Sequence, residues 1–417
     1  MNSILKFGGA SIKDEEHIRN VGDILNIYKS SSIIVVFSAI GKVTNMLEEV
    51  VNLYVNNLRN EMFLKFEEIK IFHFDLIKIL FDESHEIHNI INNLFVEISW
   101  VLEEDYHGNY DYVYDQIVSV GELLSSNIMS SYCNFNDINN TLIDARDLIR
   151  TNANYRSAQV NWEVTIKSIN ELDQSVKMYI TQGFIASTSD NCTTTLGREG
   201  SDFSAAILAY VLNVQEVIVW KDVPGIMNAD PSIFEDAIQI EEIPYHEAIE
   251  LAFYGAKVIH PNTIQPLQIK DIPLKVKSFI NPDLEGTVII KDSKIKPRVP
   301  FYIIKENQIL VSISDSSLSF MVEEHLSNIF LIFSKYNIRV NMMQHSAVSF
   351  SVCLDYDKYK IRNVLNELKM KFNVVFNEGL TLYTIRHYNK ESIEKILNGK
   401  QLLLEQKTRN TIQLALK

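Results

Sequence analysis

The first 223 residues contain no proline, and all nine prolines fall between Pro224 and Pro300. Proline disrupts helix interiors and central strands, so the first half is free to form regular elements and the proline cluster marks loops and a boundary near residue 300. Glycine is also sparse at 14 residues, yet Gly183, Gly197, Gly200, Gly225 and Gly255 share one stretch, where tight backbone geometry is expected. The three cysteines, Cys133, Cys192 and Cys353, lie far apart without CxxC spacing. This excludes a disulfide framework and a zinc site, and fits a reducing, cytoplasmic setting. Lys and Arg total 39 against 53 Asp and Glu, a net charge of −14. Nucleic-acid binding rests on clustered basic residues, so no nucleic-acid partner is expected, and any anionic ligand must meet a local positive site. No uncharged apolar run reaches the roughly 18 residues of a membrane helix. The start at Ile4-Leu5-Lys6-Phe7 has no basic segment ahead of an apolar one, so neither a signal peptide nor a membrane partner is expected.

What is present is a foldable composition: 417 residues, 46% hydrophobic and 22% charged. At about 150 residues per domain this suggests two or three domains. Strand-like runs at 4–7, 33–37, 141–143, 177–180, 217–220, 274–279 and 288–290 alternate with helical patterns at 14–28, 44–105 and 202–212. That order predicts an α/β domain with a mainly parallel sheet sandwiched by helices. The charged, proline-bearing segment from Lys291 to Pro300 reads as a linker. Beyond it, strands at 309–314, 339–343, 348–354 and 374–376 and helices at 323–335 and 359–371 give one βαββαβ unit, the ferredoxin-like order. A second set, with strands at 380–386, 401–405 and 412–416 and a helix at 392–397, stops two elements short. A strand at 301–304 is expected to supply part of its missing edge.

Two motif matches fail. Gly41-Lys42 lacks the rest of a P-loop, because Val36 and Val43 replace the required Gly and Ser or Thr. Arg146-Asp147 with Asn152 lacks the His of a protein-kinase catalytic loop, Ala145 standing there instead, and no DFG follows. Three other segments are more informative. Lys6-Phe7-Gly8-Gly9-Ala10-Ser11 joins a buried strand to a helix, where backbone N–H groups can cradle phosphate beside a lysine charge. Thr193 to Asp202 gathers hydroxyls, two glycines and Arg198 just before a helix, a setting for bidentate carboxylate recognition. Ser201 and Asp202 also suit a plain helix cap. Trp220 to Met227 follows a strand, with Phe253 to Lys257 downstream, and strand-end loops hold ligands in open α/β sheets. Ser38-Ala39, Thr44-Asn45 and Gly121-Glu122 add small polar and acidic groups at similar positions; singly, each also fits a turn or cap.

In this order the motifs resemble those of the aspartate kinase family: KFGGTS at Lys6 to Ser11, a Ser-Ala turn at Ser38-Ala39, a Gly-Glu pair at Gly121-Glu122, TTLGRGGSD at Thr194 to Asp202, a TDV-type loop at Lys221-Asp222-Val223, and FGAKV-HP from Phe253 through His260-Pro261. The resemblance covers the whole chain and implies a monofunctional enzyme using ATP and Mg²⁺ to phosphorylate the side chain of L-aspartate. It implies a catalytic domain over residues 1–296 and paired C-terminal ACT modules over 297–417, the first at 307–378 inserted in a second made of 298–306 and 379–417. By the same resemblance Lys6 and Asp202 are catalytic, and Ser38, Ala39, Thr44, Glu122, Phe184, Arg198 and Ser201 surround aspartate. Lys6, Gly8, Gly9, Ser11, Lys221, Asp222, Met227 and Lys257 would serve ATP. Asn341 and Ser346 would belong to an allosteric site for lysine or threonine, and the ACT modules would form a homodimer. No protein metal site is expected beyond nucleotide-borne Mg²⁺.

The chain departs from the family pattern at Ala10, Glu199, Lys221, Ser232 and Ala347. Glu199 places negative charge beside the expected anion site. The competing expectations are a kinase for another acyl amino acid and an inactive amino-acid sensor built on the ACT pair.

Overall fold

The computed structural model describes residues 1–106, 108–256, 259–315 and 320–417. The chain divides into two units: Met1–Ile226 with Gln239–Ile249 and Val258–Lys296, and Met227–Ile238 with Glu250–Lys257 and Pro297–Lys417. In the first unit the strands are β1 (Ser3–Phe7), β2 (Ile33–Phe37), β3 (Thr141–Ile143), β4 (Met178–Gln182), β5 (Ile185–Ser187), β6 (Thr193–Thr195), β7 (Glu216–Lys221), β8 (Glu242–Pro244), β9 (Leu274–Ser278) and β10 (Thr287–Ile290). Eight of them form one sheet in the order β3-β4-β2-β1-β7-β9-β10-β8; β9 and β10 pair antiparallel and the other neighbours are parallel. Every residue of β1, β2 and β4 is buried, as expected where helices cover both faces of a parallel sheet. Lys6 therefore emerges from the middle of the sheet, in register with Val36 and Val219.

The helices are α1 (Glu15–Ile27), α2 (Val43–Val55), α3 (Arg59–Leu80), α4 (Ile87–Glu103), α5 (Tyr110–Val118), α6 (Val120–Phe135), α7 (Ala145–Leu148), α8 (Trp162–Asn170), α9 (Gly200–Leu212), α10 (Tyr245–Tyr254) and α11 (Pro261–Ile269). The helical stretch expected over 44–105 is broken twice. Asn57 turns left-handed at φ +56°, and Phe81 is fully extended. The chain can then fold back, so that Phe66 and Phe95 pack edge to face with ring centroids 5.8 Å apart. Among the described residues, no helix is long and apolar enough to cross a membrane.

The second unit carries β11 (Phe301–Ser314), α12 (Glu323–Lys335), β12 (Val340–His345), β13 (Ser349–Asp355), α13 (Lys358–Lys369), β14 (Asn373–Arg386), α14 (Lys390–Leu397), β15 (Leu402–Lys407) and β16 (Thr411–Leu416). They form one antiparallel sheet, β12-β13-β11-β14-β16-β15. The strands expected separately at 301–304 and 309–314 are the single strand β11, and those at 374–376 and 380–386 are β14. Irregular pairing at Lys305 to Leu310, with Asn307 at φ +53° and Gly379 at φ +70°, lets each long strand bend without ending. As expected, 301–304 pairs with the later set: Phe301 lies opposite Arg386 and Ile304 opposite Tyr383. The cover missing from that set comes from 227–238. Ala229 and Phe234 join the core of Ile385, Ile396 and Leu414, and the Phe234 ring stacks on Tyr302 at 5.0 Å.

Phe301 is 1% exposed, and truncating such a ring costs about 3–5 kcal/mol. Phe301→Ala should raise hydrogen exchange in β14 and β16 while β1 and β2 stay protected. Uniform loss of protection across both units would contradict this assignment.

Candidate active site

The site grows from the ends of the buried parallel strands. Leaving β1, the chain makes a single 3₁₀ turn, Gly9–Ile12, before α1, which begins as expected at Asp14, whose carboxylate caps the His17 N–H. A side chain on Gly9 would meet the Ala39 carbonyl at 2.5 Å and that of Gly41 at 2.7 Å, so this turn can lie against the β2 turn only as glycine. Ser11 is buried, with its hydroxyl toward the Trp220 carbonyl. The Lys6 ammonium meets Asp202 at 2.6 Å, both side chains being largely buried. Burial alone would raise the Asp202 carboxyl, but Lys6 and then Lys221 hold it below the usual carboxylate range. Asp202 is therefore ionised.

Three further chain turns converge there. After β2, the Ala39 N–H donates to Glu122 Oε1 at 3.2 Å, and Gly121 lets α6 approach that turn. After β4, Gly183 comes so close to Ser201 that a Cβ would lie 2.5 Å from it, and Phe184 turns left-handed at φ +67° with its N–H held by Ser204. The hairpin β5–β6 leads through Gly197, Arg198 and Glu199 into α9. Together these turns enclose a cavity of about 400 Å³ that holds Ser38, Thr44, Glu122, Phe184, Arg198 and Ser201 in one lining. Glu122 is 2% exposed and its Oε2 has no hydrogen-bond partner among the described residues. Burial pushes its carboxyl up to about 8 against the lowering pull of the Ala39 N–H and Lys6. This is a partly unsatisfied acid lining a cavity that also presents a guanidinium.

Ala39 is buried and is not part of the cavity lining, and Lys221 ends β7, followed by Asp222. Met227 belongs to the second unit, and Lys257 lies outside the described residues. Asn341 and Ser346 are also in the second unit. The Asn341 amide accepts from Lys305 at 2.8 Å and donates to Gln308 and Asp355, while Ser346 hydrogen-bonds Ser349 across a turn. The same cavity is lined by residues that the motifs did not single out: Glu48, Tyr114 and Arg156. Arg156 is 42 residues before Arg198, in an irregular loop, and no local pattern marks it. A larger cavity of about 720 Å³ lies between α8, α9 and α11, but its walls, including Trp162, Phe203 and Tyr210, contain no charged side chain. It does not suit a dicarboxylate.

Glu199 sits at φ +55°, where a side chain costs about 1 kcal/mol or more relative to glycine. Glu199→Gly should therefore leave thermal stability equal or slightly raised. It should also lower the KM for the anionic substrates several-fold by removing charge beside Arg198. A higher KM would show that Glu199 takes part in binding.

Residues 1–278 match the model of the amino acid kinase family. The lysine-sensitive aspartokinase 3 of Escherichia coli K12 is 31% identical over 395 residues, which is 92% of this chain and 86% of that protein. Two crystal structures of E. coli aspartokinase III are similar at 27% identity and a TM-score of 0.80. One, in complex with lysine and aspartate, matches over 99% of this chain and 95% of its own; the other, with aspartate and ADP, over 100% and 96%. A family match over two-thirds of the chain, joined to likeness along nearly all of it, leaves one conclusion: the chain belongs to the amino acid kinase family, among its aspartokinases.

Proposed function

We propose that the chain transfers the terminal phosphoryl group of MgATP to the side-chain carboxylate of L-aspartate, giving 4-phospho-L-aspartate and ADP. The observation that carries this reading is the cavity in which Arg198 and Ser201 share a lining with the unsatisfied Glu122 carboxyl. Aspartate's α-carboxylate suits the fork of Arg198, and its ammonium suits Glu122. Ser38, Thr44 and Phe184 complete the wall, and the β-carboxylate is left to attack. As its oxygen bonds to phosphorus, the bond to the departing ADP oxygen breaks. Such a transfer needs mainly positioning and charge stabilisation. Lys6, paired with Asp202 at 2.6 Å, would stabilise charge on the moving group. The turn at Gly8, Gly9 and Ser11, with Lys221 and Asp222 at the end of β7, is the proposed ATP side.

Among the described residues no three His, Cys, Asp or Glu side chains group to hold a metal ion. Mg²⁺ usually binds through substrate phosphates with one or two carboxylates, and buried, ionised Asp202 fits that part. When bound, it supplies neutralisation of phosphate charge. We further assign catalysis to residues 1–296 and regulation to 297–417, with lysine as effector near Asn341 and Ser346, homodimerisation through the ACT modules, and a cytoplasmic location. An effector ammonium at Asn341 would compete with Lys305, which already holds its amide oxygen.

A coupled ATPase assay with L-aspartate, L-glutamate and buffer alone, with and without millimolar lysine or threonine, tests the reading. Turnover with aspartate alone, lowered by lysine, is expected. Preference for glutamate, or no turnover with either, would overturn the substrate assignment. Unchanged activity with lysine would overturn the effector.

A further inference from the structure

The geometry points to Arg156 as a second, specificity-determining guanidinium of the substrate cavity, one that grips the α-carboxylate together with Arg198. This inference rests on the functional reading above. Three observations carry it, beginning with position: Arg156 shares the 400 Å³ lining with Arg198, Ser201 and Glu122.

The second is the way its backbone is held. Arg156 stands in the left-handed region at φ +65°, a conformation that costs a side chain relative to glycine. Asp115 maintains it. That carboxylate is fully buried and accepts the Arg156 N–H at both oxygens, at 3.1 and 3.0 Å. It also accepts the Thr195 N–H at 2.9 Å and the Thr195 hydroxyl at 2.7 Å. One buried acid thus fixes Arg156 relative to the strand end that leads into Arg198. Strained residues that a structure over-determines in this way concentrate at functional sites.

The third is the way the guanidinium is held. It lies over the Tyr114 ring at 4.5 Å and near that of Tyr110 at 5.2 Å, with one nitrogen on Asp111 at 3.1 Å. A guanidinium has five N–H donors, and the side chain keeps 41% of its surface exposed, so donors remain for a ligand. Arg198 is likewise exposed, on a turn between left-handed Gly197 and Glu199. The Arg156 guanidinium is already held by Tyr114, Tyr110 and Asp111, so less side-chain ordering remains to be done when it binds a carboxylate. The α-carboxylate is the group it suits. Arg156 is tied to α5 and the end of β6, while Lys6, where the β-carboxylate must react, is tied to Asp202.

The test uses full-length enzyme with MgATP and two substrates, L-aspartate and its α-amide, which keeps the ammonium and the β-carboxylate. Arg156→Gly suits the backbone at φ +65°, so it should melt close to wild type. It should raise the KM for L-aspartate about tenfold or more and change the KM for ATP less than about twofold. The discrimination between aspartate and the α-amide should shrink by the same factor as aspartate binding weakens. Arg156→Lys should fall between, and carries the test if the glycine variant fails to fold. If both substrates are weakened equally, Arg156 is only structural and the inference falls. It falls too if both are treated as by wild type. Wild-type enzyme that does not turn over L-aspartate would instead overturn the functional reading itself.

Discussion

Lys6→Met is expected to lower kcat by about a hundredfold or more, the loss typical of removing one preorganised group that stabilises transition-state charge. The structure adds a complication to this substitution. Lys6 and Asp202 are a buried pair at 2.6 Å, and removing one partner of a buried pair strands the other at a cost of about 3–5 kcal/mol. The single variant should therefore be less stable as well as slow. Lys6→Met combined with Asp202→Asn should recover much of the stability and none of the turnover. Thermal melting and single-turnover kinetics on the two variants separate these effects. If a folded Lys6→Met enzyme keeps more than about a tenth of wild-type turnover, Lys6 does not act on the transferring group.

The second large effect is a pH dependence of aspartate binding. The Glu122 carboxyl, ordinarily near 4.5, stands at about 8 because it is buried. Below that pH the empty enzyme holds it protonated, while an ammonium ligand requires it ionised. Binding then releases a proton, so aspartate affinity should rise about tenfold per pH unit from pH 6 to about 8 and then level off. Glu122→Gln should abolish the slope and, at pH 8, raise the KM for aspartate by about tenfold to a hundredfold, the usual worth of a hydrogen bond to a charged group. Stability has its own sign. A carboxyl whose folded value is raised contributes stability that is fully present below its unfolded value, near 4.5, and is lost as pH rises through about 8. The glutamine variant should consequently outlast wild type in thermal melts at pH 9. A wild-type KM that is flat from pH 6 to 8 would remove Glu122 from the ammonium site.

Much of this protein is legible in its sequence. Lys6, Arg198, Ser201 and Asp202 stand in short motifs because the chemistry of each uses neighbours in sequence: a strand end, a turn and a helix start. The parallel sheet was legible for a similar reason, since its strands are continuous apolar runs. Element ends were less so. The 44–105 stretch reads as one helix because Asn57 and Phe81 break it through backbone angles rather than through proline or glycine. The strands β11 and β14 read as two pieces each because polar residues interrupt them at the bend, where inter-strand hydrogen bonds nonetheless carry the ladder through.

By itself, then, the sequence determined the order of β1–β4, β7, β9 and β10, the family, and the residues that stand in short motifs; the hairpin β5–β6, β8 and most of the helices between them were not marked in it. Only the tertiary structure decided that Asp115 reaches Arg156 and Thr195, 41 and 80 residues away. The same holds for the cover that Phe234 gives the second sheet set and for the burial that shifts Glu122. The physical reason is common to all three. Desolvation and hydrogen-bond satisfaction depend on which surfaces the fold brings together, and those surfaces come from segments with no periodic or local relation to one another.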